Sequence, residues 1–218
     1  MPGHSNWKKV LLLSVLLGTI SLVLNISFQE EMEGGWQTYS GFRKAGAKLV
    51  NSGSLWAALA FYCGSLTATP RAGALAGVLS AQCALGTHYA LGILTPVYNH
   101  GAMLANIEWF IAGAVLCCPL GALGWLSQQR GALPLLARLV PAACVIADPV
   151  VTRRLSVAPP EIPWSERYSD LLSGLLLLIG GLTWAGYTIY QIAAGRRRAP
   201  GRPHAASLTR WSSRRPRR

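Results

Sequence analysis

From Val10 to Ser27 the chain runs for eighteen residues without a charge, VLLLSVLLGTISLVLNIS. About 20 predominantly apolar residues suffice for a helix to cross roughly 30 Å of hydrocarbon. Five further stretches repeat the pattern to different degrees, at 53–69, 73–94, 108–127, 133–151 and 171–194. Apolar residues make up 51% of the 218 and charged residues only 13%, about half the share in an average soluble protein. The charges are also poorly mixed, because nine arginines and no acid fall between Arg196 and Arg218. An ordinary soluble globule, a disordered chain and a secreted disulfide scaffold are all excluded by this distribution. The expected fold is all-α: a polytopic membrane helix bundle of about six transmembrane helices over residues 1–194. An Arg-rich, disordered cytoplasmic tail is expected over 195–218.

The stretch at 133–151 is the weakest span. It holds Pro134, Arg138, Pro141 and Asp148, and a charge at mid-membrane costs about 2.5–3.5 kcal/mol on insertion scales. Taken alone it fits an interfacial or re-entrant segment as well as a span. Parity favours six crossings. Lys8 and Lys9 precede the first span, and Arg196, Arg197 and Arg198 follow the last, so both ends carry the basic mark of a cytoplasmic flank. With six crossings, thirteen basic residues lie on the cytoplasmic side and six on the outer side, with Arg138 inside a span. The tail carries that imbalance, since without it the count is four against six. The expected location is the cell (inner) membrane, with both termini cytoplasmic. The first span is longer than a usual signal-peptide core and no A-x-A-like site ends it, so an uncleaved anchor is expected.

Between the spans, the first outer loop (28–52) passes from Glu30, Glu31 and Glu33 to Arg43, Lys44 and Lys48. It ends in Asn51-Ser52-Gly53-Ser54, which offers three N-cap candidates in Asn51, Ser52 and Ser54. Gly73 and Gly77 form a GxxxG, and such small faces let helices approach closely, here within one bundle. The tail is rich in Arg, Pro and Ser without periodicity. It is expected to bind anionic lipid headgroups at about 1 kcal/mol per basic residue near the surface. A tethered Arg tail without a folded recognition module is weak ground for nucleic-acid binding, so nucleic acid is not an expected partner.

Chemistry is sparse. Arg138 and Asp148 are the ionisable groups inside a span, and such residues mark functional paths by default. The plainer reading has Arg138 snorkelling to cytoplasmic headgroups and Asp148 at the outer interface. An outer polar rim is expected from His88 and Tyr89 at the end of the third span, Tyr98 and His100 in the next loop, and Glu108. Two histidines and a carboxylate suit proton or metal chemistry, but no HxxxH or HExxH spacing is present, and a simple polar rim is the stronger reading. All five cysteines fall within spans, where a thiol behaves as a small hydrophobe. No metal, cofactor or catalytic residue is expected.

The order of features from Trp36 through Leu94 resembles a family of multi-pass membrane proteins of unknown function from high-GC Gram-positive bacteria. The carrying residues are Asn51-Ser52-Gly53-Ser54-Leu55-Trp56, a span ending at Gly64, a turn at Arg71, and His88-Tyr89. Sixteen Arg against four Lys suit such a genome. The resemblance implies no activity and no site residue. Three function classes remain. The first is a non-enzymatic accessory or scaffold protein whose helices bind another membrane protein. The second is a small transporter or channel with a polar path near Arg138 and Asp148, extended by His88. The third is a membrane enzyme acting on lipid. Small packing faces and few buried charges favour the first.

Overall fold

The computed structural model describes residues 6–156, 159 and 161–197. All described elements are helices: α1 (Trp7–Asn25), α2 (Gln29–Met32), α3 (Gln37–Val50), α4 (Gly53–Ser65), α5 (Pro70–Leu94), α6 (Ala102–Ala105), α7 (Ile107–Leu126), α8 (Ala132–Val151) and α9 (Trp164–Arg197). Four of them, α1, α7, α8 and α9, are long and apolar enough to cross a membrane. α5 has the length, with 25 residues, but Gln82, Thr87 and His88 dilute its apolar character. α4 has 13 residues, about 20 Å at 1.5 Å per residue.

Local signals explain the helix starts. The Asn6 side chain caps α1 by accepting from the Lys9 N–H at 3.2 Å. Ser52 caps α4 through the Leu55 N–H at 3.2 Å, and Thr69 caps α5 ahead of Pro70 in the first turn. α8 continues unbroken through Pro141 and Pro149, so the fifth segment is one 20-residue helix with no re-entrant break. α9 begins at Trp164, well before the expected 171, and its helix takes the first three residues of the expected tail. The tail from 198 onward lies outside the described residues.

Six principal helices alternate in direction among the described residues. Val10 packs on Ala76 and Ser21 meets His88, so α1 and α5 run the same way. The Asn6 N–H bonds the Leu66 carbonyl at 3.0 Å, which places the end of α4 at the start of α1. Gly113 lies by Ala81 and Gly121 by Gly73, which makes α7 antiparallel to α5. Ser54 meets Asp148, joining the start of α4 to the end of α8. Gly174 lies by Leu155 and Gly181 by Ile146, so α9 returns along α8.

The packing is inside-out relative to a soluble protein. The interior is built of small groups, with Ala60, Cys63, Ala76, Ser80 and Ala84 completely enclosed. Large apolar side chains face outward, among them Leu11, Leu12 and Leu16 on α1, Val115 and Leu116 on α7, and Ile179 and Leu182 on α9. A belt of that size is untenable in water and natural in lipid, where close backbone packing replaces the hydrophobic driving force. α4, α5 and α7 meet through glycine. A Cβ at Gly64 would strike the Gly121 carbonyl, one at Gly77 the Cys117 carbonyl, and one at Gly124 the Phe61 carbonyl. Gly73 and Gly77 therefore spend their GxxxG on α7 of the same chain.

Candidate functional site

The densest polar construction sits where α1, α3 and α5 end together. Ser21 and Asn25 lie one turn apart on α1, Asn51 follows α3, His88 lies near the end of α5, and Tyr98 belongs to the next loop. Ser21 Oγ donates to Asn51 Oδ1 at 2.6 Å, and Asn51 Nδ2 donates to Asn25 Oδ1 at 3.3 Å. Ser21 Oγ also lies 2.8 Å from His88 Nδ1, and Tyr98 Oη lies 3.0 Å from His88 Nε2. These four bonds link five side chains in a row from Asn25 through Asn51, Ser21 and His88 to Tyr98.

The row has a direction. Ser21 has one proton and gives it to Asn51, so the hydrogen between Ser21 and His88 belongs to Nδ1. In the neutral imidazole Nε2 then accepts from the Tyr98 hydroxyl. Burial pushes the Tyr98 phenol above its ordinary value of 10, with Asn25 pulling the other way, so the hydroxyl keeps its proton to donate. Gly92 makes room for this contact, since a Cβ there would strike the Tyr98 ring. A serine 2.8 Å from a histidine has the spacing of a nucleophile and its base. In this arrangement Ser21 donates to Asn51 rather than to His88, and the bond to Asn51 competes with that pairing. Both side chains are buried. The arrangement is a clasp joining three helix ends and a loop.

Asn25 and Asn51 also line a cleft of about 300 Å³ with Arg43, Lys44, Lys48 and Glu166. Its bases are paired. Arg43 Nε bonds Glu31 at 2.9 Å, while its other nitrogens reach the Leu24 carbonyl at 2.5 Å and Ser27 Oγ at 3.0 Å. Lys44 and Lys48 both pair with Glu166, and Lys48 also meets Asp170 at 2.7 Å. Burial alone would raise the Glu31 carboxyl, but the bonds from Arg43 and from the Phe28 N–H outweigh it and hold the group below its ordinary 4.5.

Both intramembrane charges are bound to helix ends. Arg138 Nε donates to the Ser127 carbonyl at 2.8 Å, where α7 finishes. Asp148 Oδ2 accepts from the Ser54 N–H at 3.0 Å in the first turn of α4, and its other oxygen faces Arg154 at 3.7 Å. Each charge has the sign that suits its end of the helix dipole. The carbonyl that Arg138 finds belongs to the preceding helix, so proline-freed carbonyls of its own helix play no part in this bond. His100 and Glu108 are exposed, and no metal-holding group gathers them with His88 among the described residues. Among the described residues, no group of three His, Cys, Asp or Glu gathers to hold a metal ion, and the five cysteines are free thiols. Sequence reasoning named His88 and Tyr98 but missed Ser21 and Asn25, whose one signal was a pair of polar residues four apart in an apolar run. Asn51 was read only as a cap candidate. No family model, curated protein or solved structure matches the chain.

Proposed function

We propose that the chain is a six-crossing protein of the cell membrane, with both termini cytoplasmic, acting as a non-enzymatic accessory or scaffold for another membrane protein. The observation that carries this reading is the use of Arg138 and Asp148 to cap α7 and α4. A transport path needs ionisable groups free to meet a solute, whereas Arg138 Nε and one oxygen of Asp148 are held by backbone and the other oxygen faces Arg154. Six crossings are supported by the alternating helix directions and by the belt of large apolar side chains. Short as it is, α4 lies among α5, α7 and α8, with Asp148 satisfying a donor at its start.

Thiol labelling tests the reading, in a protein whose five native cysteines are replaced. Single cysteines are introduced as Arg138→Cys and Asp148→Cys, and a membrane-impermeant reagent is added from each side in turn. Arg138→Cys should react only from the cytoplasm and Asp148→Cys only from outside. Reaction of either from the opposite face would reveal a water-filled path and replace the scaffold reading with transport.

A further inference from the structure

A second cavity, of about 490 Å³, opens where α8 ends and α9 begins, and it is lined by Arg153, Arg154 and Arg167. Leu155, Ile162 and Leu171 supply apolar walls beside them. The one acid in the lining, Asp170, is bonded to Lys48 at 2.7 Å. Arg154 is anchored: its guanidinium donates to the Lys48 carbonyl at 2.9 Å and to Ser173 Oγ at 3.3 Å, and it faces Asp148. Arg167 is different, because its Nε is buried with no hydrogen-bond partner. A buried charged donor without an acceptor is costly, which makes this the feature of the cavity that most needs explaining.

Backbone geometry adds an independent sign. α8 ends in a Schellman turn, with the Arg154 N–H bonded to the Pro149 carbonyl at 3.0 Å and the Arg153 N–H to that of Val150 at 3.2 Å. The residue this turn places in the left-handed region is normally glycine, and here it is Arg153, at φ 55°. A non-glycine residue is strained there, and such strain gathers at sites of function.

We propose that Arg153, Arg154 and Arg167 bind the phosphate of a phosphate-bearing molecule, either a phospholipid headgroup or free phosphate. Guanidinium forks match phosphate oxygens bidentately. Arg153 and Arg167 offer forks from two elements and the anchored Arg154 adds a third positive charge, which suits a phosphate, with more oxygens and more charge, better than one planar carboxylate. The apolar walls suit a lipid, with the headgroup at the arginines and the chain along Leu155 and Leu171. The lipid source rests on the membrane reading above; the phosphate chemistry does not.

The test uses the full-length chain, purified in detergent, with thermal stability followed as phosphatidylglycerol or sodium phosphate is added. Sodium chloride at equal ionic strength is the control. The wild-type protein should be stabilised by one or both probes, and Arg167→Gln should weaken that response about tenfold or more. Arg153→Gly should be more stable than wild type without ligand, because the turn relaxes, yet gain less from the probe. This variant keeps the test decisive if Arg167→Gln folds poorly. A response to lipid alone assigns a headgroup, and a response to inorganic phosphate alone assigns the free ion. Equal responses in wild type and both variants would overturn the site and trace binding to the tail arginines; no response in wild type would overturn it outright. Carbonate extraction of membranes separately tests the membrane reading, so the two failures are distinguishable.

Discussion

At the scale of single residues, the clasp depends on each donor finding one acceptor. Tyr98→Phe removes the donor to His88 Nε2 and leaves a buried acceptor unsatisfied, which should lower stability by about 1–3 kcal/mol. Gly92→Ala should break the same bond from the other side, because its Cβ pushes the Tyr98 ring away while the hydroxyl remains. If both changes act on one bond, the double variant loses clearly less than the sum of the singles; additive losses in denaturation would show the two to be independent. Asp148 offers a second case. Asp148→Ala removes the α4 cap and leaves Arg154 facing no carboxylate, at a cost of about 3 kcal/mol, whereas Asp148→Asn keeps an acceptor for Ser54 and should cost distinctly less. The charges were easy to find in the sequence because ionisable groups stand out in apolar runs. Their partners were not, since Arg138 and Asp148 bind backbone, which leaves no mark in residue type. Ser21 and His88, 67 positions apart, likewise carry no local signal of their contact.

At the scale of elements, two kinds of glycine share these helices. Gly77 and Gly121 stand where a Cβ would meet backbone of the facing helix, and Gly86 stands in open space within α5. Gly77→Ala should destabilise by about 1–3 kcal/mol through overpacking, and Gly86→Ala should stabilise by up to about 1 kcal/mol through helix propensity. Equal effects in thermal unfolding would refute the assignment of close contact. The outer helices respond instead to acid. Glu31 has its pKa lowered in the fold, so its bond to Arg43 contributes fully above the ordinary 4.5 and is lost as pH falls through the lowered value. Protection from hydrogen exchange over 28–36, taken relative to the intrinsic rate at each pH, should therefore fall in acid, and Glu31→Gln should remove that pH dependence. Helix α3 was read as loop for a physical reason. Its buried face is Ser40, Gly41, Arg43, Ala45 and Ala47, while Tyr39 and Phe42 are exposed, so small size and the Arg43–Glu31 pair rather than hydropathy set its inward side. Hydropathy also missed the start of α9, because its first turns are polar and pair with Lys44 and Lys48 beyond the apolar stretch.

At the scale of the whole molecule, the sequence displayed the apolar helices but not their order in space, since any arrangement of uncharged runs satisfies hydropathy equally well. Order comes from contacts between small residues, as at Gly64, Gly77 and Gly121, and from charges that tie the end of one helix to another. Orientation across the membrane is a separate matter, set by basic residues in the connecting segments. Inside the bundle that balance is poor: Arg43, Lys44, Lys48, Arg153, Arg154 and Arg167 all lie at one end, opposed by Lys8, Lys9, Arg71 and Arg130 at the other. Most of the outer six are bonded inward, to Glu31, Glu166, Asp170 or the Lys48 carbonyl, once the chain has folded. During insertion those pairs do not yet exist, so on the proposed orientation the nine tail arginines outweigh them. Replacing all nine by glutamine should turn a share of molecules over, and reporters fused to each terminus would then move together to the outer side, as an even number of crossings requires. Reporters that separate would reveal an odd number of crossings. Reporters that both stay cytoplasmic would show that Lys8 and Lys9 alone set the orientation.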